Sequence, residues 1–475
     1  MSGNNISHEE TAEEAAGLSL KGKDIMPKSI EDRSISSFGF LLISVGLYVQ
    51  LVSFVAGAQV YPALSPLMII VTVIVGNLAV WVLLVLTGDI GLKHGIPFAV
   101  YIRAPFGYLG AHIPALVRAL PAVFWFGFQT WLGATALNLI METLTGYSNL
   151  MAIIVVFGLF QILNTALGID AISKFDWVAA PILIITGIIM EVVLIQRYDL
   201  TFAELFSSSG EGGISFLSAV AIMAGAQITM AVNIADFTQF LKRPEGETSW
   251  VERNKGSAWA QLFGLVPPMA FFVIVGMTSG IATGEWNPIF VMADVFGGNT
   301  ILLIFVLAAF VIFAQVASNT GQNLLPPGYV FVNLFPRRIS FPTAVTAAGV
   351  VGLLIQPWEY ADLVPTILLW ISALLGPIVG IMIADYYAIR KRELNLDELY
   401  DANGQYTYWR NFNPAAMITY VISAGLGLLF PDLAFFVAML VSIGLYYGLM
   451  KLWVLDIYPQ SEVAPQPESA TVSDD

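Results

Sequence analysis

Two groups of side chains have the types and spacing to grip a small polar molecule. Trp125 and Gln129 stand four residues apart, which puts them on one face of a helix. Trp offers a flat apolar surface, and Gln offers one acceptor oxygen and two donor hydrogens. A side-chain amide can pair with an N–H and a C=O on one edge of a lactam or imide, so the two residues make a clamp for a planar heterocycle. The second group is Gln315, Ser318, Asn319, Gln322 and Asn323. Positions 315, 319 and 322/323 follow the i, i+4, i+7/i+8 rule for one helix face. Each signal has a plainer reading. Trp packs in apolar cores, and amides bond membrane helices to one another.

The chemistry of catalysis is not visible beside these groups. The 3 histidines, His8, His94 and His112, form no metal or nucleophile motif, and the chain has 0 cysteines. An intramembrane enzyme would need a nucleophile with a base, paired carboxylates or a metal cluster. A channel would show charged rings or a carbonyl filter. The expectation is a protein that is not an enzyme and that has no cofactor. An amino-acid carrier is a further alternative, with Trp125 and Gln129 then serving only as packing.

These side chains sit in a chain that must avoid water. Hydrophobic residues make up 57% of it and charged residues 11%, against about 25% charged in soluble domains. Mean hydropathy is +0.77. The apolar runs reach the length of about 17–25 residues that a spanning helix needs. The pattern predicts an all-α membrane protein with twelve transmembrane helices, at 37–62, 66–87, 107–139, 150–168, 177–196, 214–236, 257–282, 299–326, 341–357, 363–387, 413–430 and 433–454. All of the 20 basic residues except Arg118, inside the third span, and Arg197 then fall on one side. The positive-inside rule makes that side the cytoplasm. The expected location is the cell's inner membrane, with both termini cytoplasmic, no cleaved signal peptide and the lipid bilayer as surroundings. The net charge of −14, concentrated in acidic tails, argues against nucleic acid as a partner. The expected organisation is a tail at 1–34, a transport core at 35–387, a loop at 388–412, two helices at 413–454 and a tail at 455–475. Oligomeric state is not legible, with a monomer as the default.

Several transporter folds are inverted repeats whose binding site lies where matching helices are broken. A five-plus-five division, about 37–196 and 214–387, offers such a pair. Span 1 carries Gly46, Gln50, Gly57 and Gln59, and span 6 carries Gly225, Gln227 and Asn233. Glu142, Glu191 and Asp236 fall near span ends, and Asp89 and Asp385 at cytoplasmic borders, which suits capping or interface roles. With no central carboxylate or guanidinium, a charged cargo would lack a partner. The expected cargo is neutral.

The run FWFGFQTWLGA at 124–134 resembles the signature of the first nucleobase–cation symporter family, which includes hydantoin, allantoin, uracil and cytosine permeases. GDIGLKHGIPF at 88–98, RAPFG at 103–107, GEWNP at 284–288, ADY at 384–386 and TYWR at 407–410 are similar to other parts of that family, in the same order. The resemblance runs from about Ser34 to the last span and is strongest toward the hydantoin-transporting members. It implies a LeuT-like inverted repeat with two additional C-terminal helices, and secondary active uptake by a rocking bundle. It also implies that Trp125 stacks on the cargo ring, that Gln129 bonds its edge, and that Gln50 and Asn323 add polar contacts from spans 1 and 8.

Two departures from the family pattern stand out. Where the family has a second stacking tryptophan in span 6, this chain reads Gln227, with Ala226 before it as a further expected contact. A sandwich becomes a one-sided stack plus an amide, which implies a cargo richer in hydrogen-bonding edges, such as allantoin, uracil or a related ureido ring. The family's sodium site uses carbonyls of span 1, here Gly46 and Val49, with Ala314 and two adjacent hydroxyls of span 8. That pair reads Ala317-Ser318 here. One oxygen is missing, so sodium (Na+) is the possible coupling ion with a weakened site, and proton or weak coupling stays open.

Overall fold

The computed structural model describes residues 23–463 apart from 208, 245, 247, 248 and 286, and it describes only the backbone at 51, 52, 204, 226, 310, 311 and 361–369. Most of the two acidic tails, and Trp286 of the GEWNP run, therefore lie outside the described residues. The rest is almost wholly helical.

Among the described residues six helices are by themselves long and apolar enough to cross a membrane, and two bent pairs reach that length and apolarity when each is taken as one span. In chain order the spans are α1a and α1b (Ser37–Tyr48 and Leu51–Val60), α2 (Pro66–His94), α3 (His112–Thr145), α4 (Leu150–Ala166) and α5 (Ile169–Arg197). The second set is α6a and α6b (Phe216–Gly225 and Met230–Thr238), α7 (Trp250–Thr283), α8 (Thr300–Leu334), α9 (Phe341–Leu354) and α10 (Val364–Ile383). The last two are α11 (Pro414–Leu428) and α12 (Ala434–Leu449). Several helix starts are capped by their own sequence. Ser36, Ser65, Ser215, Ser340 and Asn413 each accept an N–H of the first turn, satisfying donors that lipid would leave orphaned.

One boundary differs from the sequence expectation in a way that matters. The fifth span was expected from 177, but α5 starts at Ile169, directly after Gly168 with φ +88°. Asp170, Lys174 and Asp176 make this stretch read as a loop. In the structure Asp176 extends the buried stripe of Ala179, Ala180, Leu183 and Thr186 by one turn.

Packing across the repeats uses close backbone approach. A Cβ on Gly57 would fall 2.0 Å from the Val273 carbonyl oxygen, and one on Gly276 would fall 2.0 Å from that of Phe54. Only glycine at both positions lets α1b lie against α7, as small residues do between membrane helices. At one end of the bundle, two buried carboxylates join helices. Asp89 of α2 accepts from Arg253 Nε at 2.8 Å, Arg253 Nη2 at 3.0 Å, Asn254 at 2.6 Å and the Tyr386 hydroxyl at 3.0 Å. Asp385 accepts from Arg390 Nε at 2.7 Å and from the hydroxyls of Tyr101 and Tyr446 at 3.1 and 2.7 Å.

Removing one partner of such a pair strands the other charge. Arg253→Ala should cost about 3–5 kcal/mol, read as a lower unfolding midpoint in detergent. Adding Asp89→Asn should recover part of the loss. An unchanged midpoint for the single variant contradicts this role.

Candidate binding site

The two broken spans meet at the centre of the fold. α1 bends by 50° and α6 by 49°, at corresponding places in the two repeats. At the α1 break Gln50 is extended, with φ −134° and ψ 157°. The last carbonyls of α1a thereby lose their helical donors. Side-chain amides replace them. Leu47 O accepts from Gln50 Nε2 at 3.0 Å and from Gln322 Nε2 at 2.5 Å. Tyr48 O accepts from Gln227 Nε2 at 3.4 Å and from the Ser53 hydroxyl at 3.4 Å.

The same amides form a chain among themselves. Gln50 and Gln322 each donate to Gln227 Oε1 at 3.3 Å. Gln129 donates to Gln50 Oε1 at 3.5 Å, and the Ser318 hydroxyl reaches Gln129 Oε1 at 3.4 Å. Four helices (α1, α3, α6 and α8) thus contribute to one polar group, and its side chains are at most 6% exposed. These lateral bonds are longer than the usual N–H···O distance of about 2.9–3.0 Å. Loosely paired amides can exchange one another for a ligand at small cost. Gln50, Gln129, Gln227 and Ser318 of the expected set come together here.

The other expected residues are placed differently. Trp125 is half-buried one turn before Gln129, its ring edge-on to Phe124 and Phe128 at centroid distances of 6.0 and 5.5 Å. Asn323 donates to Asn319 at 2.8 Å, and Asn319 in turn donates to Gln161 at 2.9 Å and to the Phe126 carbonyl at 3.1 Å. The Asn323 bond stays within α8, while the Asn319 bonds tie α8 to α3 and α4. Gln322, not Asn323, bonds into the central group. The reason is a π-helical turn at Thr320–Leu324, which shifts the face that a 3.6-residue period assigns. The side chain of Ala226 lies outside the described residues. A Cβ on Gly225 just before it would meet nothing within 4 Å among the described residues, so the α6 break borders open space.

The expectation that no central charge exists is corrected on two counts. Arg118 of α3 is buried, donating Nε to Asn233 Oδ1 at 2.7 Å and Nη2 to the Gln322 carbonyl at 2.9 Å. It holds α6b to the π turn of α8 and is committed there. Asp176 of α5 is fully buried, and neither carboxylate oxygen has a hydrogen-bond partner among the described residues. Asp236 fits the capping role expected of it, accepting the Phe98 N–H at 2.9 Å.

Of the expected cation residues, Gly46, Ala314, Ala317 and Ser318 are buried around the α1 break, with Val49 at the end of α1a. Ser318 donates its hydroxyl to Ala314 O at 2.7 Å, which leaves its lone pairs available.

Comparison with known proteins decides the family. Residues 26–454 match the model of permeases for cytosine/purines, uracil, thiamine and allantoin. The chain belongs to this permease family. It is 35% identical to the hydantoin permease of Microbacterium maritypicum, over 96% of each chain. It is 30% identical to the allantoin permease of Bacillus subtilis, over 91% of this chain and 94% of that one. Among solved structures it superposes with a TM-score of 0.88 on Mhp1, a nucleobase-cation-symport-1 family transporter, in a closed conformation with bromovinylhydantoin bound. The identity is 35%, covering 93% of this chain and 97% of that one. The permease is therefore an all-α, multi-pass membrane transporter with a LeuT-like fold, and not an enzyme.

The central amides make a sharp test. Gln129→Ala should abolish cargo binding while the protein still elutes as a folded species. Asn323→Ala should perturb stability more than affinity. Equal cargo affinity in Gln129→Ala and the unaltered permease contradicts this assignment.

Proposed function

We propose that this permease imports a small, uncharged nitrogen heterocycle of the hydantoin, allantoin or uracil kind, by secondary active transport with alternating access. The carrying observation is the chain of loosely paired amides at the junction of the two broken helices. It is rich in donors and acceptors, and it holds no charged side chain. The names of the relatives support the same class.

The cargo stacks on one face against Trp125, while its edges replace the lateral bonds among Gln50, Gln129, Gln227 and Gln322. Closing the bundle over a fully paired cargo leaves no amide unsatisfied. A cargo with mismatched edges strands buried amides at about 1–3 kcal/mol each, and that difference is the specificity. Gln227 is fully buried and already bonded to Gln50, Gln322 and the α1 backbone. It fills the place of a second aromatic wall, and it favours a ring with several polar edges over an aryl-hydantoin.

The coupling ion in this reading is sodium, bound beside the α1 break. Ion binding favours whichever state holds it better, by its differential affinity alone. The transporter works as a monomer in the inner membrane with both termini cytoplasmic, and its two repeats occupy about 37–196 and 214–387.

Uptake into proteoliposomes of labelled allantoin, hydantoin, uracil and cytosine tests this, with an imposed sodium gradient, a proton gradient or neither. The expected result is accumulation of one ring above its equilibrium level, driven by sodium. Absence of uptake for every ring under every gradient contradicts the cargo class. In the same assay Gln227→Trp should shift preference toward larger aromatic rings, and an unchanged ranking removes Gln227 from the site.

A further inference from the structure

The carboxylate of Asp176, fully buried and without a hydrogen-bond partner among the described residues, stands beside the place where the expected sodium site lacks an oxygen. A Cβ built on Gly46 would lie 2.5 Å from Asp176 Oδ1 and 3.1 Å from the Ala317 side chain. Three residues therefore converge on one point: Gly46 at the end of α1a, Ala317 where a hydroxyl is absent, and Asp176 from α5. Gly46 has no side chain because the carboxylate fills that space.

A bare carboxylate in such a place is costly unless something positive meets it. The neighbours supply nothing. α1, α4 and α8 contain no Asp, Glu, Lys, Arg or His, and Tyr48 is the titratable group of α1a. On α5 itself Asp170 accepts from Ser34, Lys174 is exposed, Glu191 accepts from Thr278 and Arg197 donates to the Val295 carbonyl. On α7 Arg253 is paired with Asp89, while Glu252 and Lys255 are exposed. Asp294, on the short helix Pro288–Phe296 that packs on α5, accepts from Tyr198. Among the described residues no fixed cation is aimed at Asp176.

We infer that Asp176 is a direct ligand of the coupling sodium ion, supplying from α5 the oxygen that Ala317 lacks. The donor set suits a hard cation, which takes oxygen ligands: the carbonyls of Gly46, Val49 and Ala314, the Ser318 hydroxyl and the Asp176 carboxylate. One carboxylate and one monovalent cation leave the buried site neutral. The inference rests on the sodium-coupled reading above and adds a residue that the family pattern does not supply. It also spreads the site over three helices, so that binding ties α5 to the broken α1 and to α8.

The test needs no cargo. Purified permease in detergent is titrated with NaCl against choline chloride at constant ionic strength and fixed pH, with the unfolding midpoint as readout. The unaltered chain should show a saturable, sodium-specific rise. Asp176→Asn, which keeps shape and removes charge, should weaken sodium affinity by about tenfold or more, or at least about 1.4 kcal/mol. Ala317→Ser added to Asp176→Asn should restore part of it. If Asp176→Asn does not fold, Asp176→Glu carries the test, because it keeps the charge but displaces the ligand oxygens and should weaken sodium affinity. Equal sodium affinity in Asp176→Asn and the unaltered chain overturns the inference, as does a chain with no sodium-specific rise. Sodium binding that depends on Asp176, without uptake of any heterocycle, supports this inference and sinks the cargo reading alone.

Discussion

A membrane offers no water to a broken helix, and the centre of this protein is arranged around that constraint. Breaking α1 frees carbonyls that lipid cannot satisfy. Gln50, Gln227 and Gln322 meet those of Leu47 and Tyr48. Each amide comes from a different helix, so the break is held by α1 itself, α6 and α8 together. The helices that carry the proposed site are thus the ones that the backbone repair brings into contact.

That repair leaves each amide with spare bonding capacity. A primary amide offers two donor hydrogens and an oxygen with two lone pairs, more than one backbone carbonyl uses. The remainder is spent on lateral contacts of 3.3–3.5 Å. The bonds of Asn319 belong to a different job, fastening α8 to α3 and α4, with Asn323 donating to Asn319 along the same helix. Within one polar stripe on α8, Gln322 combines a short bond to the α1 backbone with a long lateral contact to Gln227, whereas Asn319 is engaged with α3 and α4.

Much of this was legible in the sequence. Gln129 and Gln227 stand out because an amide in an apolar run must face protein or a cavity; the same argument did not separate Gln50 from Gln59, which is exposed in the structure. The paired breaks were legible only approximately: Gly46 and Gly225 fall near matching places in the two repeats, but Gly46 is helical and α1 breaks at Gln50. The choice between Gln322 and Asn323 was not, because the π turn at Thr320–Leu324 alters the helical period locally. Asp176 was missed because Asp170 and Lys174 make the start of α5 look like a loop. The periodicity held the signal, since Asp176 lies three and four residues before the buried Ala179 and Ala180. Arg118 was visible inside its span, but its partners Asn233 and Gln322 come from distant helices that no local pattern connects.

The central claim is that a neutral ring binds by replacing the lateral bonds among these amides. Calorimetric titration of the purified permease with allantoin, hydantoin, uracil, cytosine and a zwitterionic amino acid, each repeated on Gln129→Ala, tests it most directly. The account predicts that at least one neutral ring binds to the unaltered protein, that the variant loses this binding, and that the amino acid binds to neither. Binding of the amino acid alone, or of a ring with equal affinity in both proteins, would contradict it.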